Sequence, residues 1–201
     1  MKDWPADKRV IIHPGEHHVE RRSQMMISTL LGSCVAACLY DPVMKIIGMN
    51  HFLLANSRYS KDTPVLASEA GRYGIYAMEL LVNNMLKVGA QKKNLRAKVF
   101  GGGNVLPMVS QNDNFYAVGD VNSRFVLEFL QTERIPIVGK GLGGNHGRVI
   151  HFLSSDYSVF MKPIPINRTI EVEKKEKQYW KKALTEHAKE EKADAGSIQY
   201  W

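Results

Sequence analysis

The feature that most constrains the fold is a pair of apolar runs on either side of a short turn. The first run is LLGSCVAACLY (30–40) and the second is KIIGMNHFLL (45–54), with Asp41-Pro42 between them. Both have strand length and strand composition, and Asp-Pro is typical of a turn. The pattern predicts a β-hairpin that brings His51, in the second run, beside the first run.

The first run contains a break that a core strand does not need. Gly32 and Ser33 precede Cys34, and Cys38 follows four residues later. A free cysteine is usually a small buried hydrophobe, which fits Cys38. Cys34 follows a sharp backbone feature, and a Gly-Ser-Cys turn can offer backbone N–H groups to an oxyanion. Cys34 therefore has two interpretations, a core thiol or a nucleophile with Gly32 and Ser33 as oxyanion donors.

A nucleophilic cysteine needs a histidine base, and the chain has seven histidines. His51 is the candidate, because a buried histidine costs free energy unless it is paired and the thiol is the obvious partner. A satisfied core histidine remains the alternative. A third residue should hold the imidazole in one tautomer. Ser28 lies six residues before Cys34, and an even separation along a strand shares a face, which favours Ser28. Gly32 can reset that phase, so Thr29 stays open.

The rest of the chain predicts an α+β domain with a mixed sheet covered by helices. Strands are expected at 25–31 and 157–164, and helices at 73–90 and 119–133. Residues 95–104 are predicted to be a strand that runs into a glycine-rich turn, and 135–153 a strand, a glycine-rich loop and another strand. Residues 1–22 are predicted to be an N-terminal extension, 23–167 the folded domain, and 168–201 a charged helical tail whose narrow apolar stripe could dock on the domain or on a partner. The glycine-rich segments FGGGN (100–104) and GLGGNHGR (141–148) match no phosphate-binding motif and are read as tight turns or as the lining of a groove.

Composition narrows the classes of function. The net charge is +7, but no run of Lys or Arg exceeds two residues, which argues against a nucleic-acid footprint. No apolar run approaches the roughly 20 residues that span a bilayer, and the N-terminus has no apolar core of a signal peptide. We therefore expect a cytoplasmic protein without membrane insertion. We expect no cofactor, and no metal, because the adjacent His17 and His18 would point in opposite directions.

A set of separated motifs resembles the chemoreceptor glutamine deamidase family, CheD. The resemblance runs from about Pro14 to Lys162. The motifs that carry it are PGE (14–16), LGSCVAACLYDP (31–42), GMNHFLL (48–54), RYGIYAMELLVNNML (72–86), GA (89–90), AKVFGGGN (97–104), VGDVN (118–122), IP (135–136), and LGG with GR (142–144, 147–148). Several motifs in the right order are specific in a way that a lone GSC is not.

The resemblance implies a cysteine-hydrolase-like sandwich and an enzyme that hydrolyses glutamine side-chain amides in the cytoplasmic helices of chemoreceptors. It implies Cys34 as nucleophile and His51 as base. The family's third residue, a threonine six before the cysteine, falls on Ser28. A CheC-type phosphatase is the implied partner besides the receptors. The alternative function is a non-catalytic chemotaxis adaptor that binds receptor helices or such a phosphatase.

Overall fold

The computed structural model describes residues 5–54, 66, 69–104, 118–165, 168, 171–172, 174–175 and 178. Within them, nine strands and two α-helices form the framework. The strands are β1 (Arg9–Ile11), β2 (His17–Glu20), β3 (Met26–Leu31), β4 (Val35–Asp41), β5 (Ile46–Asn50), β6 (Arg96–Gly101), β7 (Ile137–Leu142), β8 (Arg148–Leu153) and β9 (Val159–Pro163). The helices are α1 (Glu69–Lys87) and α2 (Val118–Thr132).

The strands form two mixed sheets. One has the order β1-β3-β8-β9, with β1 and β3 parallel, and the other has the order β2-β5-β4-β6-β7, with β6 and β7 parallel. The chain leaves the four-stranded sheet at Leu31 and enters the five-stranded sheet at Val35. Gly32, Ser33 and Cys34 are therefore the crossing between the sheets.

The fold has three layers, which are the four-stranded sheet, the five-stranded sheet and the two helices. The side chains of β4 and of the residue before it point alternately to the two outer layers. Cys34, Ala36 and Cys38 point toward the four-stranded sheet and share a core with Ile27 and Phe152. The residues between them, Val35, Ala37 and Leu39, point the other way and pack against the two helices. The five-stranded sheet is thus covered on both faces, which explains why its central strand is apolar at nearly every position.

The helices bury one face each against this central sheet. Met78, Leu81 and Met85 on α1 have no exposed surface. Each such side chain contributes about 1.5–3 kcal/mol through burial. Gly48 on β5 permits the close approach, because a Cβ there would lie 2.9 Å from Leu81 Cδ1 and from Met85 Sδ.

The α+β class, the hairpin and both helices are confirmed. Cys38 pairs with Met49 and Asp41 with Ile46 in the antiparallel β4–β5 hairpin, and the helices lie within three or four residues of the predicted bounds. Asp41 closes the turn by accepting hydrogen bonds from the backbone N–H groups of Val43 and Met44, both at 2.9 Å.

The N-terminal segment differs from the expected extension. β1 and β2, both within residues 1–22, pair with β3 and β5 and so belong to the two sheets. Each is the edge strand of its sheet, where one side faces solvent, so polar residues such as His17 and His18 hide the alternation that marks an inner strand. The apolar stripe predicted for the tail, from Tyr179 onward, lies outside the described residues.

Candidate active site

Cys34 lies at the end of the crossing between the sheets and has no exposed surface. The three carbonyls that surround it all accept hydrogen bonds. Gly103 N–H donates to Gly32 O and Gly102 N–H to Cys34 O, both at 2.8 Å, and the Asn122 side chain donates to Ser33 O at 2.8 Å. In a trans peptide the N–H points opposite to the carbonyl, so the N–H groups of Ser33 and Cys34 point away from these donors.

The glycine segment FGGGN holds the crossing in place. Gly101 and Gly102 have φ of +116° and +64°, which disfavour other residues. A Cβ on Gly101 would lie 2.1 Å from Cys34 O, so only glycine lets the two backbones meet this closely. The segment is therefore a tight turn, one of the two interpretations that the sequence left open.

The second glycine segment is fixed to the first. Gly143 N–H donates to Gly101 O at 2.9 Å and Asn104 N–H to Gly144 O at 2.8 Å. The buried guanidinium of Arg148 donates to Gly141 O at 2.6 Å and also to Gly143 O. Sequence reasoning missed Arg148, because nothing in GLGGNHGR distinguishes a carbonyl-binding arginine from a surface one.

His51 follows β5 and is 1% exposed. The β4–β5 register that pairs Cys38 with Met49 continues to a bridge between Val35 and Phe52. The same register puts His51 opposite Ala36, on the face that carries Cys34, and makes Cys34 and His51 diagonal neighbours across the two strands. The structure thus brings the two predicted residues to one face.

Thr29 on β3 determines the tautomer of His51. The Thr29 hydroxyl donates to Ile12 O at 2.7 Å and lies 2.8 Å from His51 Nδ1. A carbonyl only accepts, so the single hydroxyl proton is committed to Ile12 and the oxygen must accept from Nδ1–H. The proton is therefore on Nδ1, and Nε2 carries the lone pair of a general base. Ile12 was missed by sequence reasoning, because its contribution is a backbone carbonyl.

The surroundings keep His51 neutral. Burial, with a smaller electrostatic contribution from nearby His13, lowers the pKa of His51 to about 3. At pH 7 the imidazole is therefore neutral, with the proton on Nδ1 and the lone pair on Nε2. The deeper thiol differs, because burial raises the pKa of Cys38 and keeps it protonated, as expected for a core cysteine.

Ser28, the residue favoured for orienting His51, is on the other face of β3. Its hydroxyl lies 2.8 Å from Nδ1 of His151, which is directly opposite on β8. Ile27, Thr29 and Leu31 face the inter-sheet core, so Ser28 faces outward. The expectation of a Ser28–His51 contact is corrected to Thr29. Ser28 lies in the four-stranded sheet and Cys34 ends the crossing to the five-stranded sheet, so the crossing at Gly32 resets the alternation.

Two absences apply to the described part of the chain. It contains no group of three or more His, Cys, Asp or Glu side chains arranged to hold a metal ion. It also contains no helix that is long and apolar enough to cross a membrane.

A buried thiol, a neutral imidazole of defined tautomer and a hydroxyl that orients it are the parts of a cysteine hydrolase site. Comparison with known proteins identifies the family to which this chain belongs. The family model described as CheD chemotactic sensory transduction matches residues 53–163. The chain belongs to the CheD family.

Individual relatives agree with this assignment. A Geobacter sulfurreducens protein named probable chemoreceptor glutamine deamidase CheD 1 is 49% identical over 190 residues, which cover 94% of this chain and 92% of the relative. A Shewanella oneidensis protein named probable chemoreceptor glutamine deamidase CheD 2 is 56% identical over 152 residues, covering 75% and 74% of the two chains.

Solved structures show a weaker likeness. Bacillus licheniformis YfiH is 14% identical with a TM-score of 0.36, covering 62% of this chain and 49% of that one. A Neisseria meningitidis protein of the DUF152 family model is 10% identical with a TM-score of 0.41, covering 64% and 53%. At these values the likeness carries no functional argument.

Proposed function

We propose that this protein deamidates specific glutamine side chains of chemoreceptors and so tunes chemotaxis signalling. One observation carries the proposal. The Thr29 hydroxyl, committed to Ile12 O, makes His51 a base at Nε2 on the face that also carries Cys34. The names of the relatives supply the substrate class, chemoreceptor glutamines.

In the first half of the reaction, Cys34 acts as the nucleophile. His51 Nε2 takes the thiol proton as the sulfur forms a bond to the amide carbon of the glutamine. Backbone N–H groups around Gly32 to Cys34 stabilise the oxyanion of the tetrahedral intermediate. The imidazolium then gives its proton to the amide nitrogen, the C–N bond breaks, and ammonia leaves a glutamyl thioester on Cys34.

The second half returns the enzyme to its starting state. Neutral His51 accepts a proton from water as the water oxygen attacks the thioester carbon. Collapse of the second tetrahedral intermediate breaks the C–S bond, and the proton on His51 returns to the sulfur. The products are a glutamate side chain and the Cys34 thiol, so the enzyme needs no cofactor.

The proposal also concerns location and partners. The amides lie in the cytoplasmic helices of receptors, so the enzyme acts in the cytoplasm. A CheC-type phosphatase is the proposed protein partner, and a pull-down with purified phosphatase and full-length protein tests this part separately.

The decisive experiment follows receptor glutamines by mass spectrometry. A receptor cytoplasmic fragment is incubated with the wild type and with Cys34→Ala, and each glutamine is monitored for the shift of about 1 Da that deamidation produces. We expect conversion by the wild type and none by Cys34→Ala or His51→Gln.

Cys38→Ala is the matched control, because Cys38 is equally buried and faces the same inter-sheet core as Cys34. It should convert the same glutamines at nearly the wild-type rate. If the receptor fragment binds but no glutamine changes mass, the adaptor function replaces the enzyme.

A further inference from the structure

The hydrogen-bond ladder between β4 and the His51 segment opens beside Cys34. Val35 and Phe52 exchange both backbone hydrogen bonds, at 3.0 and 2.9 Å. In an antiparallel pair the next such exchange falls two residues further along, here between Ser33 and Leu54. The Leu54 N–H to Ser33 O bond of that exchange is replaced by the side chain of Asn122, which bonds both groups.

Asn122 bonds both strands with one carboxamide. Its Oδ1 accepts from Leu54 N–H at 2.8 Å, and its Nδ2 donates to Ser33 O at 2.8 Å. The partners define the orientation of the amide, because a backbone N–H only donates and a carbonyl only accepts. Asn122 has no exposed surface, so water does not replace either bond.

The position of Asn122 is set by the start of α2. Gly119, in the first turn, lies so close to the glycine segment that a Cβ there would be 2.5 Å from Gly102 O. Ser123 Oγ donates to Gly119 O at 2.8 Å within the same turn. The motif VGDVN thus combines a glycine that lets the helix approach with an asparagine that reaches between the strands.

We propose that Asn122 is a positioning residue for the oxyanion site. The Ser33 carbonyl and the Cys34 N–H belong to one rigid peptide. By holding that carbonyl, Asn122 fixes the direction of the Cys34 N–H, and by holding Leu54 N–H it ties this peptide to the strand that carries His51. This inference rests on the proposed function in one respect, that Cys34 is an acyl-accepting nucleophile.

Two small probes of the Cys34 sulfur separate positioning from structure. p-Nitrophenyl acetate acylates a thiol through a tetrahedral oxyanion, whereas iodoacetamide alkylates it by direct displacement without an oxyanion. Both must reach the same sulfur, so the ratio of the two rates cancels changes in access and in thiol ionisation. Peptide mass spectrometry assigns each adduct to Cys34.

Asn122→Leu removes both hydrogen bonds at nearly constant volume. Loss of an oxyanion donor costs about 100- to 1000-fold, and misdirection of one should cost less. We expect the acylation-to-alkylation ratio to fall at least about tenfold. Asn122→Asp guards against misfolding of the leucine variant. Its protonated carboxyl can donate to Ser33 O and its carboxylate cannot, so its ratio should fall as pH rises, unlike that of the wild type.

Asn50→Leu is the matched control. Asn50 is also a buried amide, but it bonds Ala37 N–H at 3.0 Å and Ala77 O at 3.2 Å on the helix-covered face of the sheet. This variant should lose stability and keep the wild-type ratio. An unchanged ratio in both Asn122 variants, or an equal fall in Asn50→Leu, overturns the positioning role.

The remaining outcomes separate this inference from the proposed function. If wild-type Cys34 acylates and the ratio depends on Asn122 but receptor glutamines stay unchanged, the substrate assignment fails and the positioning role stands. If wild-type Cys34 alkylates but does not acylate, the nucleophile assignment fails and the positioning role fails with it.

Discussion

Thr29→Val tests the most specific feature of the site, the hydroxyl between Ile12 O and His51 Nδ1. Valine has nearly the same shape and removes only the hydrogen-bonding atoms. Two buried polar groups then lose their partner, and each stranded group costs about 1–3 kcal/mol. We expect the free energy of unfolding to fall by about 2–4 kcal/mol, measured by urea denaturation followed by circular dichroism.

The same change should slow deamidation more than a loss of stability explains. Without an acceptor at Nδ1, the imidazole can carry its proton on either nitrogen, and only one tautomer leaves Nε2 unprotonated. A lost preference of about 1–3 kcal/mol corresponds to a rate roughly 5- to 150-fold lower. The initial rate of the mass shift in a receptor fragment measures this on folded protein, and Thr29→Ser should restore most of it.

Ser28→Ala is the control that the chain itself offers. Its hydroxyl makes a contact of the same 2.8 Å length with a histidine ring, but with His151 on the outer face of the four-stranded sheet. Ser28 is buried but lies away from His51, so Ser28→Ala should cost about 0.5–1.5 kcal/mol of stability through the lost hydrogen bond and leave the deamidation rate of the folded protein unchanged. If Ser28→Ala deamidates slowly while Thr29→Val keeps the wild-type rate, the assignment of Thr29 is refuted.

Further predictions follow from burial and backbone geometry. Asp41→Ala should lower the free energy of unfolding by at least about 2 kcal/mol in urea denaturation, because the turn N–H groups and that of Gln91 at 2.8 Å lose a buried carboxylate. Gly101→Ala should lose both stability and deamidation, since its Cβ would collide with Cys34 O, and a melt combined with the mass assay detects both. His51→Gln should reduce the acid sensitivity of stability. With the pKa of His51 lowered to about 3, the full contribution is present above pH 6.5 and is lost toward pH 3, at about 1.4 kcal/mol per pH unit. Urea midpoints at pH 7, 6 and 5 measure the difference between the two proteins.

The hairpin that brings Cys34 and His51 to one face could be predicted because its signals are local. An Asp-Pro turn between two apolar runs specifies neighbouring antiparallel strands, and the register follows from the turn. The helices were likewise predictable from apolar spacing. In each case the residues that determine the element lie within it, so neighbouring sequence is enough.

The third residue and the edge strands were not predictable by the same rule. The alternation of side chains along a strand correctly places Ser28 and Thr29 on opposite faces of β3. It does not show which of the two shares a face with Cys34, because the chain changes sheets at Gly32. β1 and β2 were not predicted, for a different reason. They are short edge strands, and what specifies them is the partner strand, which lies 17 residues away for β1 and more than 25 away for β2.

The low pKa of His51 has a consequence for how the proposed reaction starts. Burial lowers the pKa of His51 and so favours the neutral imidazole at pH 7. In the proposed reaction the thiol proton moves to His51 as the sulfur attacks, when negative charge develops on the substrate oxygen and stabilises the imidazolium nearby. A base that acts at that moment must have Nε2 unprotonated beforehand. The committed hydroxyl of Thr29 does this, and it explains why a neutral hydroxyl, which adds no charge to the buried site, is sufficient as the orienting group.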